Sequence, residues 1–233
     1  MKFSVVAFDL DGTLYPAYRL NFRLIPFLLK EQRLVRALGS ARSRLRKSDL
    51  NSGGGEDFYK LQAKFMGEVL GRPMEEIMEK TERLIYRGWE PIFKKITLFP
   101  HVRETLDAFR KEGIKMGLLS DFPAEKKLEN LGISGYWDTV VCSELTGRLK
   151  PAPEPFLELA RRMDTPVNQI LYVGNSITYD VAGARQAGMK AALVKTGLFS
   201  PGWTVKLGPE GSSDRIPDFV FNDYRQLCNY VLN

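Results

Sequence analysis

The stretch Val5-Val6-Ala7-Phe8-Asp9-Leu10-Asp11-Gly12-Thr13-Leu14 constrains this chain more than any other. Its apolar opening has no turn residue and predicts a strand buried on both faces. The strand ends in two carboxylates separated by one residue, then a glycine. Anions at the end of a buried strand are costly unless a cation or a reaction uses them. Asp and Gly are also ordinary turn residues, so a plain polar turn explains the same letters. A calcium loop does not. Counted from Asp9, its sixth position should be Gly and its twelfth Glu, and here they are Leu14 and Leu20.

Downstream, Tyr15 to Leu98 is helical in pattern. Leu24, Phe27, Leu28, Leu34, Val35 and Leu38 form one stripe, with Pro26 opening or kinking the helix and Gly39 a C-terminal stop. Ser52-Gly53-Gly54-Gly55 reads as a flexible joint, and no Gly-Lys-Ser/Thr follows to make it a phosphate loop. Phe58, Leu61, Phe65 and Val69 give a second stripe; Met74, Ile77, Met78, Leu84 and Ile85 give a third. From Pro100 onward strands and helices alternate. Strands are expected at 114–119, 139–142, 170–173, 191–194 and 219–221, helices at 102–111, 125–131, 155–163 and 177–187, and a Gly/Pro/Ser-rich loop at 200–217. This pattern predicts an α/β fold, an open parallel sheet with helices on both faces. The core is expected at 1–14 and 99–233, with an all-helical insertion at 15–98.

Several classes of function are excluded. Cys142 and Cys228 make neither a metal spacing nor a disulfide framework, which suits a reducing compartment, and the cytoplasm is the expected location. The N-terminal apolar run is cut short at Asp9, unlike a secretory signal. No uncharged run approaches the roughly 20 residues that span a membrane, so no transmembrane segment is expected. With His101 the single histidine, mechanisms that need two are impossible. His101 is expected at the surface or at a helix end. A Ser-His hydrolase would also need a nucleophile elbow, and there is none. Catalysis falls to carboxylates and lysine.

Ligands of such sheets bind beyond the carboxyl ends of the strands. There the sequence places Asp9 and Asp11, then Ser120 and Asp121, then Asn175 with Asp180 at the start of the next helix. Lys150, in Arg148-Leu149-Lys150-Pro151, can reach the same crevice. In this order the residues resemble the haloacid dehalogenase-like hydrolase superfamily, and most closely its phosphatase branch with a helical cap inserted after the first strand. The matching motifs are Asp9-Leu10-Asp11-Gly12-Thr13, then Leu118-Leu119-Ser120, then Lys150-Pro151, and last Gly174-Asn175-Ser176 with Asp180.

The resemblance implies Mg²⁺-dependent hydrolysis of a small phosphorylated metabolite. Asp9 would be the nucleophile that forms an aspartyl-phosphate, and Asp11 the general acid and base. Ser120, Asp121 and Lys150 would bind the phosphate. Asp9, Asp11, Asn175 and Asp180 would hold the metal. Asp11 separates the chain from the dehalogenases, which in this superfamily lack an acid there. A phosphomutase of the same family is one alternative. A weakened member that serves as a binding protein is another.

Two positions depart from the family pattern. Asn175 stands where a metal-binding Asp is usual, so weaker Mg²⁺ affinity is expected. Asp121 stands where Asn is more common.

The charge of +6 is local, because nine basic residues face one acid between Arg19 and Lys47. That segment reads as a solvated helix face, as recognition of an anionic substrate, or as a contact with membrane or nucleic acid. No nucleic-acid motif accompanies it, so no nucleic-acid partner is expected. The chain is expected as a monomer or homodimer.

Overall fold

Strand β1 (Val5–Phe8) is buried along its whole length. Val5 and Ala7 point to one face of the sheet, and Val6 and Phe8 to the other. The structure is a computed structural model that describes residues 2–47, 55–195 and 213–233. Most of the expected glycine joint and of the loop that begins at Ser200 lies outside the described residues.

After β1 come α1 (Ala17–Lys30), α2 (Gln32–Lys47), α3 (Glu56–Leu70) and α4 (Met74–Thr81). A π-helical turn (Glu82–Tyr86) and a 3-10 turn (Glu90–Lys95) lead back to the sheet. The alternating part follows as α5 (Val102–Lys111), β2 (Lys115–Ser120), α6 (Glu125–Leu131), β3 (Thr139–Cys142), α7 (Glu154–Arg162), β4 (Ile170–Gly174), α8 (Ala182–Gln186), β5 (Lys190–Val194), β6 (Phe219–Phe221) and α9 (Tyr224–Leu232).

All strand pairs are parallel, in the order β3-β2-β1-β4-β5-β6. The order reverses direction beside β1, which pairs with β2 on one side and β4 on the other. Such a switch point opens a crevice at the carboxyl ends of the strands. Register does the rest. Phe8 lies opposite Leu118 and Val173, so Ser120 and Asn175 emerge level with each other, one residue beyond Asp9.

Two apolar clusters cover the faces of this sheet, and a third lies among the inserted helices. The third joins Leu34, Leu38 and Leu45 of α2 to Phe58 and Met66 of α3. Leu149, the neighbour of Lys150, is buried in the same cluster. Burial of a side chain such as Phe58 stabilises by about 1.5–3 kcal/mol.

Two helical expectations need correction. The first stripe belongs to two helices, because the backbone leaves the helical region at Glu31 (φ −111°, ψ 28°) and α2 starts at once. Gly39 does not stop a helix. It lies inside α2, which runs on to Lys47 because Ala41, Arg42 and Leu45 are buried. Pro26 lies within α1, and His101 sits at the start of α5, a helix end as expected. Among the described residues, no helix is long and apolar enough to cross a membrane.

Candidate active site

Asp9 follows β1 directly and is buried. One carboxylate oxygen accepts from Lys150 Nζ at 2.7 Å and the other from the Thr13 hydroxyl at 2.7 Å. Burial pushes the Asp9 carboxyl up to about 7, although Lys150 opposes the shift. Gly12 makes the turn that brings Thr13 back. Its φ is +90°, and a Cβ there would stand 2.2 Å from the side-chain amide of Asn175. Only glycine suits both the backbone angle and this close approach.

Lys150 is buried and bridges Asp9 to Asp180, with 2.7 Å to each. It also donates to the Tyr172 hydroxyl at 3.2 Å, which donates in turn to the Leu119 carbonyl at 3.2 Å. The carboxylates around it outweigh desolvation and hold the ammonium well above its ordinary value. Asp180 comes from a π-helical turn (Ile177–Val181) where one long helix was expected. Its second oxygen accepts the N–H groups of Asn175 (3.1 Å) and Ser176 (3.0 Å). Both Asp180 oxygens are thus engaged within the protein. Gly174 allows this approach, since a Cβ there would lie 2.3 Å from the Asp180 side chain.

Ser120 ends β2 and is buried. Its Oγ accepts from the Phe122 N–H at 3.2 Å, which leaves the hydroxyl proton available. Asp121, next along, faces the inserted helices. One oxygen accepts the Lys150 N–H at 3.1 Å, and the other pairs with Arg46 at 2.6 Å. Arg46 also donates to the Lys150 carbonyl at 2.9 Å. The Lys150 peptide is therefore held from both sides by an ion pair between α2 and the end of β2. Arg42 of α2 donates to the Asp121 carbonyl at 3.1 Å and pairs with the buried Glu144. Two arginines of the basic segment are thus bound inside the protein, and Arg44 pairs with Glu68 at 2.5 Å. Arg42 and Arg46 depart from a solvated face, whereas Arg44 and Lys47 remain exposed.

Asp11 lies on the open side of the crevice and is less buried than Asp9. Lys127 of α6 reaches its two oxygens at 2.8 and 3.1 Å, and the Tyr15 hydroxyl donates to one of them. The structure brings Asp9, Asp180 and Lys150 into direct contact, sets Asp121 on the Lys150 backbone, and lays Asn175 against Gly12. Ser120 emerges one residue beyond Asp9 on the neighbouring strand. Lys127, Tyr15 and Tyr172 were not expected from the sequence, and Arg46 was expected only as part of the basic segment. A tyrosine inside a strand buried on both faces is the one readable signal among them, because its hydroxyl needs a partner.

The arrangement can bind a phosphoryl group against Lys150 and Ser120, with a carboxylate as nucleophile and a second carboxylate two residues on. A sequence profile of the haloacid dehalogenase-like hydrolases matches residues 3–188. The chain is 27% identical to glyceraldehyde 3-phosphate phosphatase of Methanopyrus kandleri, across 98% of this chain and 97% of that protein. It is 31% identical to phosphoglycolate phosphatase of Escherichia coli, across 78% and 77%. Among solved structures, a 2-haloacid dehalogenase of Pseudomonas syringae is 26% identical, with 98% of each chain covered and a TM-score of 0.64. By its motifs, its parallel sheet and a match that spans most of its length, the chain belongs to the haloacid dehalogenase-like hydrolases.

Proposed function

We propose that the protein is a phosphatase that hydrolyses small phosphomonoesters through an aspartyl-phosphate on Asp9. The observation that carries this is the contact of Lys150 with Asp9 and Asp180 at 2.7 Å each, with Asp11 two residues beyond the nucleophile. Lys150 offsets the charge that would otherwise repel a phosphate from two carboxylates. As Asp9 attacks, its oxygen–phosphorus bond forms and the ester P–O bond breaks. Asp11 gives its proton to the leaving oxygen. Asp11 then takes a proton from the water that attacks the aspartyl-phosphate, which restores Asp9 and releases inorganic phosphate. Lys127 and Tyr15 fix the position of the Asp11 carboxyl group, and the Ser120 hydroxyl proton is available to a phosphoryl oxygen. The named phosphatase relatives support the reaction class.

Asp9, the Asp11 carbonyl and the Asn175 side chain offer the hard oxygen donors that suit a largely hydrated Mg²⁺. Bound there, Mg²⁺ would neutralise charge between phosphate and nucleophile. The fit is a weak one. Among the described residues, no group of three or more His, Cys, Asp or Glu could hold a metal. Asp180 is already engaged by Lys150 and two backbone N–H groups, so we assign it to placing Lys150. The helices of 15–98 act as a cap that closes over the crevice.

Phosphate release from a panel of phosphomonoesters with Mg²⁺ tests the proposal. Turnover is expected in the wild type and lost in Asp9→Asn. Turnover that survives Asp9→Ala would overturn it.

A further inference from the structure

Beside the crevice lies a cavity of about 330 Å³ between the inserted helices and the segment that runs from the end of β2 into α6. Tyr59, Tyr86, Trp89, Phe93, Phe122 and Lys127 line it. Two contacts tie it to Asp11. Lys127 holds both Asp11 oxygens, and Phe93 packs edge-on against Tyr15 (5.9 Å between ring centres), whose hydroxyl donates to Asp11. If Asp11 protonates the leaving oxygen, the group on that oxygen lies on this side of the site.

The walls have a definite chemistry. The Tyr86 hydroxyl is turned away to donate to Glu144 at 2.8 Å, and the Tyr59 hydroxyl interacts with the same carboxylate. Both tyrosines therefore offer ring surface to the cavity. The cations around it are already matched, and Glu90 and Glu125 add negative charge to the lining. Arg87 pairs with Glu82 at 2.8 Å, Lys126 with Glu129 at 2.7 Å, and Lys127 with Asp11. A carboxylate on the substrate would meet no cation that lacks a carboxylate partner among these residues. A flat apolar ring would meet aromatic faces, which favour stacked and edge-on contacts. The volume is also at the lower end of the range typical of small-molecule sites.

We propose that this cavity receives the leaving group, and that the preferred substrates are phosphomonoesters whose alcohol carries an aromatic ring. The inference rests on the phosphatase reading above. It also separates this chain from relatives named for phosphoglycolate and glyceraldehyde 3-phosphate.

The test compares benzyl phosphate, ethyl phosphate and phosphoglycolate with Mg²⁺. Benzyl and ethyl alcohol are similar as leaving groups, so their difference reads recognition. Benzyl phosphate is expected to have kcat/KM about tenfold or more above ethyl phosphate, the scale of discrimination an apolar pocket supplies. Trp89→Ala and Phe122→Ala should bring that ratio towards one, whereas Val69→Ser, at an exposed position of α3 away from the cavity, should keep it. Equal kcat/KM for the two alkyl esters, or a preference for phosphoglycolate, would overturn the inference and leave the phosphatase reading standing. Should no ester be turned over, that reading falls, and binding of benzylphosphonate against ethylphosphonate still decides the cavity's role. About tenfold tighter binding of the benzyl compound supports it, and equal binding overturns it.

Discussion

Asn175 and Lys127 are the residues on which the chemistry turns most sharply. Asn175 replaces an anionic donor with a neutral one, and ligand charge is a main determinant of cation affinity. Asn175→Asp is therefore expected to lower the Mg²⁺ concentration for half-maximal activity by about tenfold. An unchanged Mg²⁺ requirement would contradict this account. Lys127 contacts Asp11 and not Asp9. Lys127→Ala should lower kcat by about a hundredfold, the lower range for general acid–base catalysis, with a smaller change in KM. Steady-state kinetics on one good substrate separates the two. Asp9, Asp11, Ser120 and Lys150 were legible in the sequence because each follows a strand or precedes a helix in a fixed order. Lys127 was not. A lysine on a short helix among other charged residues looks like solvated surface, and only folding sets it against a carboxylate 116 positions away.

At the scale of elements, α2 is joined to the sheet by charge. Burial alone would raise the Asp121 carboxyl, but Lys150, Arg42 and Arg46 hold it below its ordinary value. A carboxyl depressed by folding adds stability above its unfolded value, and that stability is lost as pH falls through the folded value. Thermal unfolding of the wild type should thus lose stability below about pH 4, the ordinary range for an aspartate. Asp121→Asn should be less stable at pH 7 and show a shallower acid decline. Equal acid declines would show that the pair with Arg46 contributes nothing. Arg42→Ala leaves Glu144 buried without its cation, and is expected to cost about 3–5 kcal/mol in urea unfolding. Replacement of both partners by apolar residues of similar volume should recover much of the loss. The helices themselves were largely legible from their apolar stripes. Their ends were less so. Gly39 resembles a stop, yet burial of Ala41 and Leu45 carries α2 past it. The break at Glu31 has no glycine or proline of its own, so nothing in the local sequence marks it.

Across the whole molecule, the parallel sheet does the positioning. Apolar runs at regular spacing made the α/β class readable, and the strand ends made the crevice readable. Strand order and register come from pairing between distant segments, and they are what bring Asp9, Ser120 and Asn175 to one end of the sheet. The basic segment shows the limit of composition. Its excess charge is visible in the sequence, but the pairing of Arg42 and Arg46 with Glu144 and Asp121 depends on acids from the far side of the fold. The central claim is that Asp9 carries the phosphoryl group. Rapid quenching of the Mg²⁺-loaded enzyme during turnover, followed by borohydride reduction and peptide mass spectrometry, tests it directly. Borohydride converts an aspartyl-phosphate to homoserine. The account predicts homoserine at position 9, dependent on substrate and absent from Asp9→Asn. Turnover with Asp9 unmodified, or with the modification at another residue, would contradict it.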